Sequence, residues 1–169
     1  MANVITLGRL FLIPIFVWLA LVYSECVFLV AAVFALAALT DWLDGFVARK
    51  LNQITEFGKV FDPLVDRLLV LSALIIVYIN GAIPGWAVVV LLIREAVIVG
   101  GYQLLKSKRE KVSVSLLGKI ATATLFVSFV VLLLRVGEGI WIFYLGLLLY
   151  VASGADYVFK GSKRLLEQA

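Results

Sequence analysis

The sequence predicts an all-α integral membrane protein with six transmembrane helices and both termini in the cytoplasm. First, 64% of its 169 residues are hydrophobic and its mean hydropathy is +1.12, whereas soluble domains are about 45–50% apolar. Second, long apolar runs recur with short breaks between them. Third, Lys and Arg gather on one side of these runs. There are too few polar residues to cover a water-soluble globule, which excludes that class.

Each apolar run predicts one helix, and the breaks between runs carry turn residues. Some runs are shorter than the ~20 residues that cross a bilayer, so we expect flanking residues to extend these helices. Turn chemistry is clearest at Asn80-Gly81, Pro84-Gly85 and Gly137-Glu138-Gly139. No linker or repeat interrupts the chain, so we predict a single domain over residues 1–169. The runs are 10–23, 26–40, 60–80, 84–105, 118–136 and 139–158.

The distribution of basic residues predicts the orientation. Arg135 lies alone on the opposite side, and Arg67 and Arg94 fall within apolar runs. Because cytoplasmic loops carry the excess of Lys and Arg, the side richer in these residues is predicted to be cytoplasmic. The basic residues on that side are Arg9, Arg49, Lys50, Lys59, Lys106, Lys108, Arg109, Lys111, Lys119, Lys160, Lys163 and Arg164.

Four of the five aspartates lie inside or beside apolar segments, namely Asp41, Asp44, Asp62 and Asp66. A charged side chain at a helix centre costs ~2.5–3.5 kcal/mol even on the most lenient insertion scale. Four clustered anions would also repel one another. We therefore expect a cation to hold them together.

The spacing of these aspartates predicts two carboxylates on one face of each of two helices. Asp41 and Asp44 are three residues apart, and Asp62 and Asp66 are four apart, so each pair shares a helix face. The chain has no histidine and a single cysteine, which favours a hard cation such as Mg²⁺ or Mn²⁺ with oxygen ligands. A structural alternative is a set of intramembrane salt bridges, for example between Asp66 and Arg94.

Carboxylates that hold a hard cation near a basic rim indicate a phosphorylated substrate. The cation would neutralise phosphate oxygens, and one carboxylate could take the proton of an attacking hydroxyl. The alternative from another class is a cation-coupled membrane transporter that uses the aspartates as its pathway. Transporters are often built from two similar halves, and the second half of this chain has no matching acidic pair.

The aspartates belong to a longer pattern with fixed spacing. This 26-residue pattern resembles the signature of the CDP-alcohol phosphatidyltransferase family, and a small chain with six predicted helices also suits that family. Arg94-Glu95 and Gly118-Lys119 add further similarity. The pattern reads Asp41-x2-Asp44-Gly45-x2-Ala48-Arg49-x8-Gly58-x3-Asp62-x3-Asp66.

The resemblance implies roles for the motif residues. Asp41, Asp44 and Asp62 would bind two ions of Mg²⁺ (or Mn²⁺), and Asp66 would be both a ligand to one ion and the general base. The donor would be CDP-diacylglycerol, and the active site would face the cytoplasm from the cell (inner) membrane. The residues implied in donor binding are Thr6, Arg9, Asp41, Gly45, Ala48, Arg49 and Gly58.

The resemblance also implies an acceptor and partners. The residues around the motif are most similar to the branch that uses glycerol 3-phosphate and releases CMP. Phosphatidylglycerol, as in a cardiolipin synthase, or inositol phosphate are the alternative acceptors. Membrane lipids and a second copy in a homodimer are the implied partners, and no nucleic acid is expected. Candidates for binding the acceptor phosphate are Arg94, Lys119, Lys106 and Arg109.

Arg94 and Lys119 also have simpler interpretations. Arg94 lies about ten residues into an apolar run, where a cation needs a partner. Adjacent side chains on a helix diverge, so we expect Glu95 to be a poor partner. Ligand phosphate or a motif aspartate is the better prediction for Arg94, although structural pairing stays open. Lys119 could instead be an interfacial anchor at the start of its helix.

Overall fold

The computed structural model describes the backbone of residues 2–51, 56–107 and 116–166, and the side chains of residues 8–40, 64–101 and 116–159. Within this described backbone every regular element is an α-helix, which confirms the predicted all-α class. Six helices follow one another along this described backbone, as the six apolar runs predict. They are α1 (Ala2–Val22), α2 (Val27–Leu51), α3 (Glu56–Ile79), α4 (Gly85–Ser107), α5 (Leu116–Leu133) and α6 (Gly139–Leu166).

Two segments of the described chain are long and apolar enough to cross a membrane. These are α5 over its whole length and residues Gly139–Phe159 of α6. Shorter apolar stretches occupy Gly8–Val22 in α1 and Val27–Thr40 in α2. The other predicted membrane spans, and the cytoplasmic position of both termini, stay predictions.

The chain divides into two compact units. The first comprises Met1–Ala82 and Phe129–Gly137, and the second comprises Ile83–Ser128 and Glu138–Ala169. In the first unit, α1 packs on both α2 and α3. The buried ring of Phe34 lies 5.3 Å from that of Phe16 and 6.3 Å from that of Phe129, between ring centroids. Aromatic pairs at such distances stabilise a core beyond the area that they bury.

In the second unit, α4 packs on α6. Where these helices begin, Trp86 and Tyr144 stack with their ring centroids 5.9 Å apart, and the ring of Trp141 meets Tyr144 edge-on. Both tryptophans are exposed, as expected for aromatic side chains near the ends of membrane helices. Deeper in this unit, Gly146 faces Leu125, and a β-carbon added at the glycine would lie 3.1 Å from that leucine. The small residue therefore allows close packing there.

Helices α3 and α5 end in the same hydrogen-bonded turn but with different residues. After α3, Gly81 has a φ of 71°, and the amide of Ala82 donates to the carbonyl of Val77 at 3.1 Å. After α5, Arg135 has a φ of 59°, and the amide of Val136 donates to the carbonyl of Val131 at 3.2 Å. Both turns are Schellman motifs, which place a left-handed residue just after the helix. Glycine adopts this left-handed conformation without strain, whereas the β-carbon of an arginine makes the same conformation strained.

The side chain of Arg135 joins two turns of the first unit. Its Nη2 donates to the carbonyl of Ser24 at 2.9 Å and lies 3.3 Å from a carboxylate oxygen of Glu25. These contacts connect the turn after α5 to the turn between α1 and α2. Because the Glu25 side chain is largely exposed, the ion pair itself contributes at most about 1 kcal/mol. The contacts offset part of the strain at Arg135.

Candidate active site

Asp66 is the motif aspartate whose side chain the structure describes, and it lies on α3. Nη1 of Arg9, on α1, donates to Oδ1 of Asp66 at 2.5 Å. The Arg9 side chain is 1% exposed, whereas that of Asp66 is 39% exposed. The buried member of this ion pair is thus the cation, and the carboxylate remains accessible. This arrangement suits a carboxylate that receives a ligand from outside.

The other motif residues have described backbones but lie outside the described side chains. Asp41 and Asp44 fall in α2, and Asp62 falls in α3 with Asp66. Helical backbone at both pairs agrees with the i,i+3 and i,i+4 spacing that puts each pair on one face. Both helices belong to the first unit and contact each other. Gly45, Ala48 and Arg49 of α2, Gly58 of α3 and Thr6 of α1 also lie outside the described side chains.

Among the side chains that the structure describes, no three acidic, histidine or cysteine groups converge to hold a metal ion. Three of the four predicted ligands lie outside that set, so the metal site stays a prediction. The chemistry of the donor set fits Mg²⁺ or Mn²⁺, because carboxylate oxygens are the ligands that hard cations prefer. The accessible carboxylate of Asp66 agrees with a role as one of these ligands.

Arg94 lies in a polar cluster between α4 and α6. Its Nη1 donates to Oε1 of Glu95 at 3.0 Å, and its Nη2 donates to Oγ of Ser153 at 3.1 Å. Its guanidinium carbon lies 3.6 Å from the centre of the Tyr150 ring, a distance at which a cation is attracted to the π face. The Tyr150 hydroxyl donates to the same oxygen of Glu95. Arg94, Glu95, Tyr150 and Ser153 are called the α4–α6 cluster below.

The expectation that Glu95 is a poor partner for Arg94 was wrong. Adjacent side chains leave a helix in different directions, but the arginine side chain is long enough for its guanidinium to reach the neighbouring carboxylate. Tyr150 brings the two together, because its ring lies under the guanidinium while its hydroxyl binds Glu95. The structural alternative paired Asp66 with Arg94. In the structure, the cation that pairs with Asp66 is Arg9.

Sequence reasoning missed two members of the α4–α6 cluster, Tyr150 and Ser153, and considered Glu95 only as a poor partner for Arg94. Tyr150 and Ser153 are three residues apart on α6 and therefore share a face. The available signals were the charged pair Arg94-Glu95 within one apolar run and the Tyr150-x-x-Ser153 pattern within another. Nothing in the sequence showed that α4 and α6 are neighbours.

The structure describes little of the other candidates for binding the acceptor phosphate, Lys119, Lys106 and Arg109. Lys119 is exposed near the start of α5, which fits both a ligand contact and an interfacial anchor. The side chain of Lys106 and the whole of Arg109 lie outside the described residues. Arg94 is the candidate with described contacts, and its Nε has no hydrogen-bond partner in the described part of the chain.

Comparison with known proteins identifies the family. Residues 1–152 match the model of the CDP-alcohol phosphatidyltransferase family. The CDP-diacylglycerol–glycerol-3-phosphate 3-phosphatidyltransferase of Bacillus subtilis is 40% identical over 146 residues, 79% of this chain and 76% of the relative. The proteins of the same name from Shigella flexneri serotype 5b and Escherichia coli K12 are each 36% identical over 157 residues, 88% of this chain and 83% of the relative. The chain therefore belongs to the CDP-alcohol phosphatidyltransferase family and is a transferase of phospholipid biosynthesis.

Proposed function

We propose that this enzyme transfers the phosphatidyl group of CDP-diacylglycerol to glycerol 3-phosphate and releases CMP. The observation that carries the proposal is its similarity to bacterial relatives named for that reaction, at 36–40% identity over most of the chain. The uninterrupted aspartate motif and the accessible carboxylate of Asp66 support it independently. The apolar helices support a membrane location, and the basic-residue distribution supports an active site on the cytoplasmic side.

Asp66 is the proposed general base. A hydroxyl oxygen of glycerol 3-phosphate forms a bond to the phosphorus that carries diacylglycerol, and its proton passes to the Asp66 carboxylate. The bond between that phosphorus and the oxygen bridging to the cytidine phosphate breaks, and its electron pair leaves with CMP. General-base assistance of this kind contributes typically about 10²–10⁴-fold to the rate.

Divalent ions, Mg²⁺ or Mn²⁺, are part of this proposal, with Asp41, Asp44, Asp62 and Asp66 as the residues that would hold two of them. Bound there, such ions supply charge neutralisation at the diphosphate. Arg49, Thr6 and the small residues Gly45, Ala48 and Gly58 would contact the donor. The acceptor phosphate is a dianion that needs cations, and Arg94, Lys106, Arg109 and Lys119 remain the candidates.

An acceptor panel tests the proposed function. Purified protein in lipid–detergent micelles would receive CDP-diacylglycerol, Mg²⁺ and one acceptor at a time, with CMP release as the measurement. We expect CMP with glycerol 3-phosphate and little with phosphatidylglycerol, inositol phosphate or serine. Stronger turnover with another member of the panel would identify that compound as the acceptor. The proposed transfer of the phosphatidyl group would stand.

Two controls separate this function from its alternatives. CMP release that persists in excess EDTA would contradict metal dependence. The transporter alternative predicts instead that protein in sealed vesicles moves cations down a gradient without CDP-diacylglycerol. No CMP release with any acceptor, together with such cation flux, would overturn the proposed function.

A further inference from the structure

Arg9 is the one charged residue that is buried among the side chains that the structure describes. A guanidinium stays protonated at any physiological pH, and moving a charge out of water costs several kcal/mol unless a partner offsets it. Asp66 provides that partner from another helix, 57 residues away in sequence. The chain therefore maintains a costly buried cation at the residue proposed as its general base.

The unequal burial of this pair indicates what Arg9 can contact. Protein atoms cover its guanidinium almost completely, so a bound donor molecule would meet the Asp66 carboxylate and not Arg9 in this conformation. The resemblance implied that Arg9 binds the donor directly. The described contact gives its guanidinium a different partner, one layer behind the accessible carboxylate.

An aspartate side chain has two rotatable bonds, and its carboxylate can point in several directions from a helix. A hydrogen bond from a rigid, buried donor restricts this choice, because the guanidinium cannot follow the carboxylate outward. Groups that orient a catalytic or ligating side chain from behind are typically worth about 10–100-fold in affinity or activity. We propose that Arg9 is a positioning residue, which holds the Asp66 carboxylate in the orientation that the reaction needs.

This inference rests on the proposed function of Asp66 and predicts a specific kinetic pattern. In Arg9→Met, which removes the charge while keeping a long side chain, we expect kcat to fall on the order of 10²-fold. The KM for CDP-diacylglycerol should stay within about threefold of wild type, because uniform substrate binding is not lost. In Arg9→Lys, which keeps a charge but not the planar fork, we expect at least about tenfold of the lost kcat to return.

A measurement without substrate or metal tests the contact itself. Subtracting the infrared spectrum of Asp66→Asn from that of the wild type isolates the carboxylate bands of Asp66. In Arg9→Met we expect these bands to shift in frequency, because the guanidinium hydrogen bond is gone. Arg135→Met is the matched control, since it removes another long-range arginine contact of the same unit, one that joins two turns. It should leave both the bands and kcat unchanged.

Several outcomes would overturn the proposal. A higher KM with unchanged kcat would make Arg9 a donor contact, and unchanged Asp66 bands would show that the pair does not form. A lower melting temperature with unchanged kcat of the folded fraction would leave only a structural role. If Arg9→Met does not fold, Arg9→Gln takes its place, and failure of both to fold also assigns a structural role. A wild-type protein without turnover would refute the proposed function, while the infrared bands would still decide whether the pair forms.

Discussion

Arg9 and Arg94 each form an ion pair within one of the two compact units, and their partners differ in an instructive way. Arg9 on α1 binds a carboxylate on α3, and that carboxylate remains accessible. Arg94 on α4 binds the residue next to it and also contacts Tyr150 and Ser153 from α6. The side chains of Arg94 and Glu95 are 16% and 22% exposed, so both members of that pair are largely covered.

The difference separates a pair suited to chemistry from one suited to packing. A carboxylate whose partner lies behind it can still accept a proton or a ligand from the front. A carboxylate that binds both a guanidinium and a tyrosine hydroxyl, as Glu95 does, already uses its Oε1 twice. We therefore expect substitutions at the first pair to change turnover, and substitutions in the α4–α6 cluster to change stability.

The largest effect is expected from Asp66→Asn. This variant keeps the shape of the side chain but removes the proton acceptor, so CMP release should fall by roughly 10³-fold or more. Binding of CDP-diacylglycerol, measured with radiolabelled donor in EDTA-free micelles, should stay close to wild type. Full activity in this variant would remove Asp66 as the base and with it the contrast between the two pairs.

Arg94→Met should have the next largest effect, on stability. It leaves the Glu95 carboxylate partly buried without its cation, and we expect a loss of roughly 2–3 kcal/mol in the free energy of unfolding, less than the loss at a fully buried pair. Denaturant titration in mixed micelles measures this, with Arg94→Lys as the control.

The same Arg94 variant also tests the proposed acceptor site. A raised KM for glycerol 3-phosphate in the folded fraction would show that Arg94 contacts the acceptor as well as Glu95. An unchanged KM would remove Arg94 from the acceptor candidates, and unchanged stability would contradict its role in the α4–α6 cluster.

Tyr150→Phe should cost less, because it removes one hydroxyl and keeps the ring under the guanidinium. We expect a loss of about 1–2 kcal/mol, since a carboxylate loses one charge-assisted hydrogen bond. Turnover should stay within about twofold of wild type, because the Tyr150 ring that contacts the Arg94 guanidinium is kept. The same denaturant titration checks the stability, and a large loss of kcat at unchanged stability would place the cluster in the catalytic machinery.

Arg135→Gly should have the smallest effect on stability, because it removes an exposed ion pair and relieves backbone strain at the same time. The variant loses contacts worth at most about 1 kcal/mol and relieves left-handed strain of about 1–2 kcal/mol. We therefore expect stability within about 1 kcal/mol of wild type, whereas Arg135→Ala keeps the strain and should be less stable than Arg135→Gly. Thermal melting of the two variants side by side checks the order, and the reverse order would show that the side-chain contacts outweigh the strain.

The sequence predicted the number of helices but underestimated the length of several of them. Helix α1 begins at Ala2 and α2 continues to Leu51, well beyond the apolar runs that start at residue 10 and end at residue 40. Hydropathy registers only the apolar part of a helix, while backbone hydrogen bonds continue through polar residues. Helix α5 is shorter than its run, because the left-handed turn at Arg135 follows it closely.

The candidate site was predictable where its pattern is local. Asp66 follows from its spacing to Asp62 and from the family motif. The Arg9 contact could not be predicted, because it joins residues from two helices whose packing the sequence does not reveal. The α4–α6 cluster was missed for the same reason, and Arg94 was misjudged because the rule for adjacent residues describes side-chain directions and not the reach of a long arginine.

The left-handed turn at Arg135 has a consequence for how this position can vary during evolution. An arginine is tolerated there while Ser24 and Glu25 supply acceptors for its side chain. In homologous chains where the residue aligned with Glu25 is apolar, we expect glycine or asparagine to replace the arginine. The two positions should therefore covary although they are 110 residues apart in sequence.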